Sequence, residues 1–105
     1  AWKKLQLYDK ALLQLARAHE NLYKKTGGQD ASHLRRAGLV YMLTFFEPDC
    51  RGTDASIEAL YRAAEINRKL GHAAAAKAAL KLAAEYEWTE SEWAKKAKTK
   101  LKEIK

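Results

Sequence analysis

One cysteine, one proline and five glycines in 105 residues leave little room for several classes of protein. Cys50 has no second thiol to pair with, so no internal disulfide framework holds this chain, and a single thiol suits a reducing compartment without fixing one. Low proline and glycine exclude collagen-like and low-complexity chains, and a hydrophobic content of 48% is too high for a disordered segment. Long apolar runs are missing too. The longest, Ala37 to Phe46, falls far short of the ~18 residues a membrane-spanning helix needs. Ala1-Trp2-Lys3-Lys4 has neither an initiator methionine nor the apolar stretch of a signal peptide, which reads as the start of a trimmed or processed fragment.

Residue sets that carry chemistry are equally scarce. His19, His33 and His72 do not fall at metal-ligand spacings from one another or from Cys50, so no metal site is expected. His19 reads as a hydrogen-bonded packing residue of the first helix, and His72 as a capping or exposed residue. Cys50 has Arg51 beside it but two acids nearby, and no base to activate it. Gly27-Gly28 lacks the Lys-Ser/Thr of a phosphate-binding loop, and Asp49 and Asp54 miss the alternating oxygen ligands of a calcium loop. Glu85, Glu87, Glu90 and Glu92 gather around Trp88, where the start of a helix favours negative charge. With no nucleophile, base and acid to name, the chain is expected not to be an enzyme and to need no cofactor.

What the sequence does carry is helical periodicity. The first helix is expected from Trp2 to Lys25, with Leu5, Tyr8, Leu12, Leu15, His19 and Leu22 as a heptad seam, and Leu7, Leu13, Ala16 and Tyr23 as a second flank. That pattern fits a core helix better than a short coiled coil. Asp30 or Ser32 caps a second helix reaching Glu47, where Pro48 stops it. Val40, Thr44 and the aromatics of Ala37 to Phe46 would also suit a buried strand, but the cap, the length and the absence of a partner strand favour helix.

A third helix, Asp54 to Leu70, carries two apolar flanks: Ile57, Leu60, Tyr61 and Ala64 on one, Ala59, Ala63, Ile66 and Leu70 on the other. Glu58 with Arg62 and Glu65 with Lys69 mark its solvated stripe. Gly71 caps it. In the fourth, Ala73 to Tyr86, only Lys77, Lys81 and Glu85 are charged, on one narrow stripe, so its other faces are expected to be covered by protein. The fifth opens on a capping box, Thr89-x-x-Glu92, and presents Trp93, Ala97, Leu101 and Ile104 to the core. The fold class is therefore all-α, about five helices in stacked antiparallel hairpins within a single domain 1–105: an N-terminal helix and turn (1–28), then hairpins with a C-terminal capping helix (30–105). The first helix is expected to pack across the hairpins and shield Ala37 to Phe46.

Lysine and arginine outnumber the acids 20 to 13, a net charge of +7. Lysines 95, 96, 98, 100, 102 and 105 crowd the last eleven residues against one acid, Glu103. A solvated face at a helix C-terminus explains most such clusters, while a nucleic-acid-binding surface is the alternative.

Leu60, Ala63, Ala64 and Asn67, then Gly71, then Ala76, Leu80 and Ala83 follow the spacing of the tetratricopeptide repeat, whose helix pairs carry W-x-x-L-G-x-x-Y, then A-x-x-x-F, then P. From Lys69-Leu70-Gly71 to Leu101, with Tyr86, Trp88, Ser91-Glu92-Trp93-Ala94 and Ala97, the chain resembles the repeats of bacterial cell-envelope lipoproteins and periplasmic assembly coordinators. The resemblance covers about the C-terminal half. Trp88 stands where proline is usual and Asn67 where an aromatic is usual. Leu34-x-x-Ala37-Gly38-x-x-Tyr41 fits the first-helix pattern in a register that Leu60 does not continue. A degenerate repeat, a related two-helix solenoid and a plain five-helix bundle all stay open.

The resemblance implies a non-enzymatic scaffold module that binds a protein or peptide partner in a groove on the first helix of each pair, faced by Tyr61, Glu65, Arg68 and Lys98. It lacks the Lys and Asn arrangement that clamps C-terminal carboxylates in some such repeats. It implies a bacterial periplasmic or cell-envelope location if it holds, and the cytoplasm otherwise. The alternative function is nucleic-acid binding by the lysine-rich last helix, against which stands the lack of any helix-turn-helix or RNA-binding signature.

Overall fold

The computed structural model describes the backbone of residues 2–46 and 53–104, and side-chain surroundings within 10–46, 53–86 and 89–103. Expectations for residues 47–52, among them the Pro48 stop and the setting of Cys50, lie outside the described residues, as do those for the side chains of Leu5, Leu7, Tyr8, Glu87, Trp88 and Ile104. The elements are α1 (Trp2–Lys25), α2 (Ala31–Phe46), α3 (Asp54–Lys69), α4 (Ala73–Ala84), a 3₁₀ turn (Glu85–Thr89) and α5 (Glu92–Ile104). No strand occurs among the described residues.

Local chemistry sets the ends. Asp30 accepts the Ser32 N–H at 3.1 Å and the Ser32 hydroxyl, opening α2. The Thr53 hydroxyl accepts the Ser56 N–H at 3.2 Å and opens α3. At the end of α3 the His72 N–H donates to the Asn67 carbonyl (2.7 Å) and the Gly71 N–H to the Arg68 carbonyl (3.1 Å). That paired closure needs a left-handed residue, and Gly71 supplies it at φ +84°. The apolar run of α2 is helical, and Thr44 donates its hydroxyl to the Val40 carbonyl inside the helix at 2.9 Å.

Each helix packs on the next in sequence, and α3 also packs on α1 and on α5. The body is flattened, 38 × 35 × 18 Å. Helix α3 is its centre, and both expected flanks are buried except at Tyr61 and Leu70, which are half-buried. Ile57, Leu60 and Ala64 join Phe45, the α4 residues Ala76, Ala79, Leu80 and Ala83, and Ala94 and Ala97 of α5. Ala59, Ala63 and Ile66 join Leu13, Ala16, Leu34, Ala37 and Tyr41 of α1 and α2. Small residues allow the close approach: a Cβ on Gly38 would sit 3.2 Å from Ile66 Cγ2.

Four local expectations are corrected. Helix α4 is not covered on most sides: Ala76, Ala79, Leu80 and Ala83 are buried, but Ala73, Ala74, Ala75 and Ala78 are exposed alongside Lys77 and Lys81. An alanine exposes so little apolar area that its burial is not specified by composition. Among the described residues of the α1 heptad seam, Leu12 and His19 are only half-buried and Leu15 and Leu22 are 49% and 42% exposed, while Leu13 and Ala16 of the other flank are buried. The helix is turned by polar partners on the other flank, where Glu20 accepts the Tyr41 hydroxyl and Arg17 reaches Glu58.

The capping box does not form. Thr89 donates its hydroxyl to the Tyr86 carbonyl within the 3₁₀ turn, Glu90 takes φ +62°, and α5 begins after Ser91. Finally, α1 covers only one side of α2. Ala37 and Tyr41 are buried, whereas Leu39, Leu43 and Phe46 remain exposed.

Candidate binding groove

Because α3 packs on α5 directly, their outward faces meet along a groove. Tyr61, Arg62 and Glu65 line it from α3, and Trp93, Lys95, Lys96, Thr99, Lys100 and Glu103 from α5, around a volume of about 600 Å³. A neighbouring hollow of about 310 Å³ shares Glu65 and Lys100 and adds Arg68 and Lys69. The spacing 96, 99/100, 103 is one face of α5, so these side chains project together.

Trp93 is the structural centre of the groove. Its ring lies 5.6 Å from that of Tyr61, tilted by 52°. Arg62 Cζ is 5.2 Å from its centroid and Lys96 Nζ 4.3 Å, cation–π contacts worth about 0.5–1 kcal/mol each at exposed sites. The sequence assigns Trp93 to the core stripe of α5. In the fold Ala94 and Ala97 take the buried positions and Trp93 is half-buried at the core's edge.

Arg62 is held from behind. Its Nε donates to Glu58 Oε2 at 2.6 Å, and the same oxygen accepts from Arg17 of α1 at 2.7 Å. Glu58 is buried rather than on a solvated stripe, so its charge is compensated by two guanidinium groups from two helices. The chain of contacts Arg17–Glu58–Arg62–Trp93–Lys96 thus crosses α1, α3 and α5. Burial pushes the Tyr61 phenol above its ordinary range, helped by Glu65 and Glu103. Tyr61 is therefore a neutral hydrogen-bonding group at neutral pH.

The groove and its neighbouring hollow carry six cationic side chains and two acids. Glu103 lies 3.7 Å from Lys100, and Arg62 is already paired, but Arg68, Lys69, Lys95 and Lys96 keep the surface positive. Tyr61, Glu65 and Arg68 of the expected set come together here. Lys98 is not among the lining residues; the α5 positions lining the groove are Trp93, Lys95, Lys96, Thr99, Lys100 and Glu103. Arg62, Trp93, Lys96 and Lys100 were not singled out by the sequence for this role, though the 96/100/103 spacing marks a common face of α5.

Glu90 and Glu92 line a further hollow of about 510 Å³ with Asp54 and Ser91, on another side of Trp93. There the Ser91 hydroxyl donates to Asp54 at 2.7 Å, tying the start of α5 to the start of α3. Among the described residues no three His, Cys, Asp or Glu side chains converge as metal ligands. His19 stacks on His33 with ring centroids 6.5 Å apart. Its expected hydrogen bond is absent from Nδ1, which is buried without a protein partner, as is that of His33. Among the described residues no helix is long and apolar enough to cross a membrane.

No protein-family model, curated protein or solved structure matches the chain.

Proposed function

We propose that this chain is a non-enzymatic interaction module that binds a protein or peptide segment along the α3–α5 groove, and that the segment is acidic with one apolar anchor. The observation that carries the proposal is the half-buried Trp93 against Tyr61 within a surface where cations outnumber acids. An aromatic anchor point ringed by charge is what a binding hot spot requires: apolar contact supplies affinity, and the charges select and steer the partner. Exposed ion pairs contribute only about 0–1 kcal/mol each. Affinity in the micromolar range is therefore expected, weakening as salt rises.

The proposal extends to the repeat resemblance, with α1, α3 and α5 as first helices of successive pairs in a degenerate tetratricopeptide-like array. Its support is that α3 touches both α1 and α5, while α2 and α4 make no packing of similar extent. α5 also favours a second function, single-stranded nucleic acid stacked on Trp93 beside Lys95, Lys96 and Lys100. Glu65 and Glu103 in the same groove oppose a phosphate backbone, and an acidic peptide can avoid them more freely.

Selection of a random peptide library on the protein tests the proposal. Enrichment of acidic sequences with one large apolar residue, lost in Tyr61→Ala and in Arg68→Glu, is the expected result. Enrichment indifferent to both changes, or no enrichment together with a low-salt gel shift on single-stranded nucleic acid, would overturn it.

A further inference from the structure

The side of α2 turned away from both cores carries three large apolar side chains at helical spacing. Leu39 is 66% exposed, Leu43 59% and Phe46 49%. Single exposed leucines are ordinary, but a line of three on one helix marks a contact surface. Beside it lies a hollow of about 260 Å³ between α2 and α3, lined by Gly38, Leu39, Met42, Ile66 and Leu70 among others. Cavities of about 150 Å³ already accept a benzene-sized group, so this one has room for a leucine or phenylalanine side chain.

We propose that two copies of the chain pair through α2 in an antiparallel, two-fold contact. The hollow is lined by the middle of α2, at Arg35, Gly38, Leu39 and Met42, and the protruding side chains Leu43 and Phe46 belong to its last turn. Antiparallel alignment sets Leu39 over the partner subunit's Leu43 and brings the partner's Phe46 over the hollow; the two-fold axis repeats both contacts. One surface thus supplies projection and recess, as an isologous interface requires.

Charge fits the same arrangement and no parallel one. Helix α2 has no acidic residue in its first turn and no basic residue in its last, so within the helix no side chain offsets the negative pole at its C-terminal end. Arg35 and Arg36 are exposed near the opposite end and hold no ion pair among the described residues. In the antiparallel pair each copy's arginines lie beside the other's C-terminal turn, with Arg36 placed against the partner's Phe46. The groove residues Tyr61, Glu65 and Arg68 lie on another side of α3 from Ile66 and Leu70, so the pair leaves both grooves open.

Sedimentation of the whole chain across a micromolar concentration series is the test. A reversible monomer–dimer equilibrium is expected. Leu43→Glu should raise its dissociation constant at least about a hundredfold, since the change enters the interface twice, with helical circular dichroism unchanged; Leu39→Lys is the second variant should the first fold poorly. Leu15→Glu, at an exposed leucine of α1, and Arg68→Glu, in the groove, should leave the dimer intact. A chain monomeric at every concentration, a dimer untouched by both α2 changes, or one broken equally by Leu15→Glu would overturn the proposal.

Discussion

Glu58 shows how much one side chain decides. Its i, i+4 relation to Arg62 is legible in the sequence, but Arg17 lies 41 positions away, and no local pattern announces that the carboxylate is buried between them. Removing it leaves two guanidinium groups crowded without an acceptor. Glu58→Ala should therefore cost about 2–3 kcal/mol in urea unfolding, less than for a wholly buried pair because both arginines reach solvent. Glu58→Gln should recover part of that loss. Tyr41 makes a second residue-scale prediction. Burial, and after it the hydrogen bond and charge of Glu20, raise its phenol above the ordinary 10.0. Between 10.0 and the raised value the folded chain holds a proton that the unfolded chain has lost, so this contribution is fully present below 10.0 and is lost as pH rises above it. Stability measured from pH 8 upward should fall more steeply for the native chain than for Tyr41→Phe, as linkage requires.

At the scale of elements, helix identity and most ends were legible because caps and stops are local chemistry. Gly71 is the clearest case, its left-handed backbone closing α3 on the Asn67 and Arg68 carbonyls. Although a Cβ there would meet no neighbouring atom, Gly71→Ala should cost about 1–2 kcal/mol through backbone strain alone, read as a lower thermal midpoint. The paired flanks of α3 were legible too, since Ile57/Leu60/Ala64 and Ala59/Ala63/Ile66 diverge by more than one stripe. Helix α4 was not. Its alanines satisfy any face equally, and the sequence cannot say that α3 and α5 cover only Ala76, Ala79, Leu80 and Ala83. The Thr89 capping box failed for a related reason: a valid local pattern lost to the 3₁₀ continuation of α4 and to the Ser91–Asp54 bond, which joins residues 37 apart.

For the whole molecule, the central placement of α3 organises everything else. Neighbours on both of its flanks fix two cores, and its contact with α5 leaves a cationic aromatic groove on one side while α2 presents bare leucines on another. Tyr61, Glu65 and Arg68 were expected through the repeat resemblance, and their spacing puts them on one face of the third helix. Trp93, Lys96 and Lys100 could not be expected, because their role depends on how α5 is rotated against α3, and that rotation is set by the burial of Ala94 and Ala97. The two surfaces predict separable behaviour, with groove changes altering partner affinity at constant oligomeric state. The most direct measurement of the central claim is an amide chemical-shift titration of the isotopically labelled chain with an acidic peptide bearing one leucine, at low salt. Shifts concentrated at Tyr61, Glu65, Arg68, Lys96 and Lys100 and at the Trp93 indole N–H, with Leu39 and Leu43 unmoved, are the predicted result. No shifts at saturating peptide, or shifts confined to α2, would contradict it.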